Sequence, residues 1–239
     1  MEWRDWYLDV ILVPLGSFIF MSYHLWLWHR VRSQPFTTVI GRNTRSRRLW
    51  VAAMMKDNDK KNILAIQTLR NAIMGSTLMA TTAILLCAGL AAFLSSTYSI
   101  KKPLNNTVHG AQGEYMLTMK FATMLLVFLS SFMSHSLSIR FMNHVSFLVN
   151  CPPEDSLGQT MTTKYVSELL ERGFWLNMVG NRLFYAAVPL LSWISGPVLV
   201  FICYAVVIIV LYGLDLVFVE DRRVGGEIYG NDSRNFVAV

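Results

Sequence analysis

Two histidines, His24 and His135, are the first residues in this sequence whose chemistry would matter. Each lies near the same end of a long apolar run. Imidazoles at matched depth on two helices are what a bis-histidine haem requires, because the iron is ligated from both faces. Only one such pair exists, and His29, His109 and His144 fall outside the runs. Hydrogen-bonded structural histidines are therefore the simpler expectation. A second set consists of charges inside apolar runs: Asp9 and Lys120 near two run starts, and Asp215 near a run end. A charge in lipid is costly unless it is paired, snorkels to water, or marks an ion path. Lys120 is expected to pair with Asp9 or Asp215. A transport reading would use Asp9, Lys120 and Asp215 on the outer side, and Arg70, Asn181 and Arg182 on the inner side. The third set is Arg42, Arg45, Arg47 and Arg48, four arginines in seven residues beside Phe36 and Trp50. Such a segment suits anionic lipid headgroups, at about 1 kcal/mol per cation near the surface, and it also fixes orientation.

No enzyme signature accompanies these residues. The chain lacks GxSxG, HExxH, a Walker loop and GxGxxG. Ser134 and His135 are neighbours in sequence, not members of a triad. Cys87, Cys151 and Cys203 form neither a CxxC pair nor an even disulfide set. Neither catalytic residues, a metal nor a cofactor is expected.

The elements that must hold these residues are apolar helices. Hydrophobic residues make up 54% of the 239 and charged residues 15%, against about 25% charged in an ordinary soluble domain. Residues 7–28, 72–94 and 116–137 each exceed the ~20 residues that cross ~30 Å of hydrocarbon as a helix. A longer region, 183–214, contains no Lys, Arg, Asp or Glu and is interrupted by Gly196-Pro197, with Pro189 upstream. Four spans are expected, the last at 197–218, with 138–182 on the cytoplasmic side. Five spans, with crossings at 174–193 and 197–218, are the alternative. The fold class is thus an all-α, polytopic transmembrane bundle forming one domain over 1–239. Small residues at Ser76, Ala80, Ala83, Cys87 and Ala91 recur at helical spacing and predict a close-packing face. Ser76, Thr77, Thr81 and Thr82 leave a pore lining open as an alternative.

Charge location sets orientation. The net charge is +6, and ten of the 21 Lys and Arg lie between His29 and Asn71. Segments 29–71 and 138–182 are therefore expected in the cytoplasm, and a membrane surface, not nucleic acid, is the partner of this charge. With four spans both termini lie outside. Sequons at Asn105 and Asn231 fit that side. The start of the chain carries no signal of a cleaved leader. A helix is expected from near Asp59 into the second span, capped by Asp57 or Asn58. The amphipathic stretch 162–172 is expected on the membrane surface, after the Cys151-Pro152-Pro153 break.

Several stretches together resemble the plant membrane proteins grouped as "domain of unknown function 599". These are Tyr23-His24 with His29-Arg-Val-Arg32, Trp50-Val51, the run Asn62 to Asn71 with Gly75, Leu94 to Tyr98, Ser134 to Arg140, and Gly173-Phe-Trp175 leading to Asn181-Arg182. The resemblance covers nearly the whole chain. It implies a multi-span membrane protein and supplies neither an activity nor catalytic residues. The expected location is the plasma membrane or an endomembrane. The expected role is that of an interaction, accessory or oligomeric component, with a membrane-protein partner or a second copy. A small channel or transporter, and a haem electron carrier, are the alternatives.

Overall fold

Apolar side chains with no water-soluble surface to cover them dictate this architecture. A computed structural model describes residues 2–55, 58–100, 114–150 and 163–217. Six α-helices account for most of them: α1 (Glu2–Ser33), α2 (Val39–Met55), α3 (Asn58–Ile100), α4 (Glu114–Leu148), α5 (Thr163–Leu191) and α6 (Pro197–Asp215). Four of them are long and apolar enough to cross a membrane: α1, α3, α4 and α6. Their outward faces carry Phe18, Leu25, Leu78, Leu85, Leu126 and Ile209, all mostly exposed. A water-soluble monomer rarely shows apolar patches on this scale. The chain is built as a membrane protein.

Helix α3 begins at Asn58, one residue before the expected start near Asp59. Its 43 residues reach about 64 Å at 1.5 Å per residue, twice the hydrocarbon thickness. The excess is packed. Val51 and Met54 of α2 join Ala65 and Leu69 of α3, Val145 and Leu148 of α4, and Val166, Leu169 and Leu170 of α5 in a second core beyond the spans. The stretch expected to lie on the membrane surface is therefore the start of α5. Its apolar side is buried against helices, because α2, α3 and α4 reach far enough to cover it.

Helix directions follow from the contacts. Helices α4 and α5 are antiparallel: Ser138 meets Gly173, Ser131 meets Gly180 and Phe128 meets Phe184. Helix α5 thus traverses the bundle and ends at the level of Asp9, where Trp193 of the 3-10 turn Ser192–Ile194 reaches Asp9. Gly196, at φ 146°, makes the reversal, a backbone region that glycine enters without a Cβ penalty. Pro197 then opens α6 at a position where its missing N–H is harmless. Helix α6 runs parallel to α1, since Ser17 and Phe20 meet Tyr204 while Tyr23 meets Asp215. Its end is pinned to the start of α2 by the Val217 N–H donating to the Thr37 carbonyl at 3.1 Å. Thr38, fully buried, caps α2 by accepting from the Gly41 N–H at 3.2 Å. The described chain therefore traverses the bundle five times, four of them in strongly apolar helices.

Candidate functional site

Two buried charge clusters stand at opposite ends of the spans. At the first, Lys120 of α4 donates to Asp9 of α1 at 3.2 Å, and the Trp193 indole N–H donates to the other Asp9 oxygen at 2.9 Å. The ammonium also lies 5.3 Å from the Trp193 ring centroid, within cation–π range. Neither side chain of the ion pair is more than 6% exposed. This cluster ties α1, α4 and the turn before α6 together.

At the second, the Tyr23 hydroxyl donates to Asp215 at 2.6 Å, and Arg182 of α5 pairs with the other Asp215 oxygen. Tyr23 is fourteen residues along α1 from Asp9, about 21 Å at helical rise. Lys120 was expected to pair with Asp9 or Asp215. It pairs with Asp9, and Asp215 sits at the opposite end. The expectation that Asp215 shares the outer side with Asp9 and Lys120 is overturned, because the extra traversal by α5 reverses the direction of α6.

Between the clusters the interior is apolar. Val13, Phe20, Phe128, Ala187, Leu190 and Val200 are buried there in one core, interrupted by the Tyr204 hydroxyl, which donates to the Ala186 carbonyl at 3.3 Å. Ser17 donates to the same hydroxyl at 3.5 Å.

On the Arg-rich side of the second cluster, α2, α5 and α6 enclose a cavity of about 290 Å³. Arg182 and Asp215 line one part of it. Arg47 and Glu171 line another, joined by two hydrogen bonds at 3.0 and 3.1 Å. Arg47 also lies over the Phe174 ring at 4.6 Å. Asn177 and Asn181 are on the α5 wall.

Next to this cavity α4 and α5 are fastened by a polar seam. Ser131 donates to the Gly180 carbonyl at 2.8 Å and Ser138 to the Gly173 carbonyl at 2.7 Å. His135 Nδ1 and Asn177 Oδ1 lie 3.2 Å apart, and Ser76 of α3 donates to the same amide oxygen at 2.9 Å. Ser131, His135 and Ser138 are fully buried. The sequence assigns Ser131 and Ser138 no role by itself. The paired seven-residue spacings, Ser131 to Ser138 and Gly173 to Gly180, were the available signal.

The remaining candidates scatter. His24 Nδ1 hydrogen-bonds the Phe20 carbonyl at 2.8 Å. His135 Nε2 would lie 2.7 Å from a Cβ on Gly180, so the α5 backbone covers the face that a haem would need. The residues present do not fit that group. Among the described residues no three potential ligands cluster for a metal. Arg70 is exposed on α3, away from the cavity that Asn181 and Arg182 line. Arg42, Arg45 and Arg48 are exposed on α2, with Arg42 donating to the Phe36 carbonyl and Arg45 over the Phe36 ring. Asn105 and Asn231 lie outside the described residues. Ser76, Ala80, Ala83 and Cys87 are buried, as a packing face requires, while Ala91 is exposed. Thr77 and Thr81 are exposed and Thr82 half-buried; Thr77 and Thr82 bond back to their own helix, which is not the arrangement of a pore lining.

Fold and clusters together define a polytopic helical membrane protein whose only buried charges among the described residues are matched in pairs. The chain belongs to the DUF599 family, described as "Protein of unknown function, DUF599", whose model matches residues 11–219. Searches of curated proteins and of solved structures gave no match.

Proposed function

We propose that this protein is a non-catalytic interaction component of its membrane that works as an oligomer of its own chain. The carrying observation is the apolar interior between the Asp9 and Asp215 clusters. A conductor needs polar groups along its path, and this bundle instead closes its centre with Phe20, Phe128 and Val200. The surface supports the same reading. Helix α3 uses Ser76, Ala80, Ala83 and Cys87 for internal packing, while Gly75 and Gly89 meet nothing within 4 Å. Fourteen residues apart, they lie on nearly one face, and small residues let helices approach closely in lipid. Purified protein should therefore run above the mass of its 27.2 kDa chain in light scattering with detergent subtracted. Gly89→Leu should shift it toward the monomer. A wild-type monomer at micromolar concentration defeats the proposal.

The exposed Arg42, Arg45 and Arg48 support a position for α2 at the cytoplasmic surface of a plasma membrane or endomembrane, against anionic headgroups. Five crossings then put the Asp9 end outside and the end of α6 in the cytoplasm. A reporter fused after Val239 should be protected with the 29–71 segment in sealed right-side-out vesicles, and Asn105, not Asn231, should be the sequon open to glycosylation. A reporter cleaved from outside would restore the four-crossing topology.

A further inference from the structure

The cavity between α2, α5 and α6 has matched charges but unmatched donors. Arg47 faces Glu171 and Arg182 faces Asp215, so both carboxylates in its walls are already engaged. One nitrogen remains over: Arg182 Nη1 is buried without a hydrogen-bond partner. The adjacent Asn181, half-buried on the same wall, makes no side-chain hydrogen bond among the described residues. A buried guanidinium N–H left unmet is costly, and no described residue supplies the acceptor oxygen it needs. Water could supply an oxygen, but the other walls argue against water alone. Ile40, Phe174 and Leu211 line the cavity, and Trp175 and Leu214 combine a place in its lining with 49% and 61% exposure on the outer surface. The volume of about 290 Å³ is at the lower end of ligand sites, roughly 300–1,000 Å³, enough for a headgroup and not for acyl chains. A polar interior with an apolar exit at the edge of the spans matches an amphiphile with an oxyanion head. Guanidinium recognises phosphate through its planar fork, and the exposed Arg42, Arg45 and Arg48 on the α2 wall raise the local concentration of anionic lipid.

We propose that this cavity seats one phospholipid of the Arg-rich leaflet, its phosphate on the Arg182 guanidinium and Asn181 and its chains leaving past Trp175 and Leu214. The site rests on the placement of α2 at that membrane surface, though not on the oligomer.

Native mass spectrometry of the full chain, purified in mild detergent and titrated with phosphatidylglycerol, tests it. Wild type should hold one phospholipid per chain through delipidating washes. Asn181→Leu fills the cavity without stranding a charge and should lower that occupancy about tenfold, the effect of one lost charge-assisted contact plus steric exclusion. Arg182→Lys keeps a cation opposite Asp215, so the fold survives, and should lose occupancy similarly because the fork is gone. Replacing Arg42, Arg45 and Arg48 together by Gln should remove weaker additional lipids and leave the retained one. Equal retention by wild type and Asn181→Leu, or no retained lipid in wild type, overturns the site. Displacement by glycerol phosphate as readily as by phospholipid overturns the lipid assignment in favour of a soluble phosphate ester. A monomeric chain that still holds its lipid would remove the oligomer reading and leave this one standing.

Discussion

Asp9→Asn should lower unfolding stability by about 3–5 kcal/mol, the size of effect seen when one partner of a buried ion pair is removed. The asparagine oxygen can still accept from the Trp193 indole, so the hydrogen bond to the turn before α6 survives. What is lost is the counter-charge of Lys120, whose ammonium is almost wholly buried and whose other contact is the Trp193 ring. A cation–π contact of about 0.5–2 kcal/mol is too small to replace a carboxylate at that depth. The double variant Asp9→Asn with Lys120→Met removes the stranded charge and should recover at least half of the loss, because methionine matches the lysine stem in length and flexibility. The coupling between the two sites should then exceed about 2 kcal/mol, beyond what independent sites give. Chemical unfolding in one detergent, followed by tryptophan fluorescence, reads all three proteins. A double variant no more stable than Asp9→Asn would mean that the pair does not carry the effect.

That cluster was half legible in the sequence, and the half that was not is instructive. Asp9 and Lys120 stand out because charge is rare inside apolar runs, and their pairing needs only that α1 and α4 be neighbours. Asp215 has the same signature, yet its partner depends on which way α6 points. That direction is decided by α5. A hydropathy reading offers the traversing part of α5 only as an alternative crossing at 174–193, because Asn177, Asn181 and Arg182 interrupt it. In the structure Glu171 is spent on Arg47 and Arg182 on Asp215, two matches between distant parts of the chain. Once charges are cancelled across helices, a segment too polar to stand alone in lipid can run through a bundle. Pattern within one helix cannot report that cancellation.

The haem alternative drawn from the expected depths of His24 and His135 meets a local obstacle. Depth says nothing about what covers a ring, and Gly180 covers His135. The four apolar helices, the turn at Gly196-Pro197, the start of α3 and the buried face from Ser76 to Cys87 were all readable. Each is fixed by residues close in sequence: an unbroken apolar run, a helix breaker, a cap, a spacing of three and four. The second core beyond the spans was not readable, since it exists only because α2, α3, α4 and α5 overrun the membrane together.

Gly180 gives the other large expected effect, and its sign runs against helix propensity. Glycine inside a helix is about 1 kcal/mol less favourable than alanine, so Gly180→Ala would stabilise an isolated α5. Here the added methyl would lie 2.7, 2.8 and 2.9 Å from three atoms of the His135 imidazole. The ring has little freedom to yield, being fully buried and placed against Asn177. Relief must come from separating α4 from α5, which stretches the 2.8 Å bond from Ser131 to the Gly180 carbonyl. Overpacking of this kind costs about 1–3 kcal/mol, enough to reverse the propensity gain for alanine. Gly180→Leu adds three further carbons at the same contact and should lose more than 3 kcal/mol or fail to assemble. His135→Ala opens the volume, so its combination with Gly180→Ala should be more stable than Gly180→Ala together with the separate loss from His135→Ala would give. Gly213, which has no atom within 4 Å of its added Cβ, supplies the contrast: Gly213→Ala should be neutral or stabilising by up to about 1 kcal/mol. If Gly180→Ala and Gly213→Ala shifted stability equally in one unfolding assay, the close approach of α4 to α5 at His135 would not be what sets the spacing of the bundle.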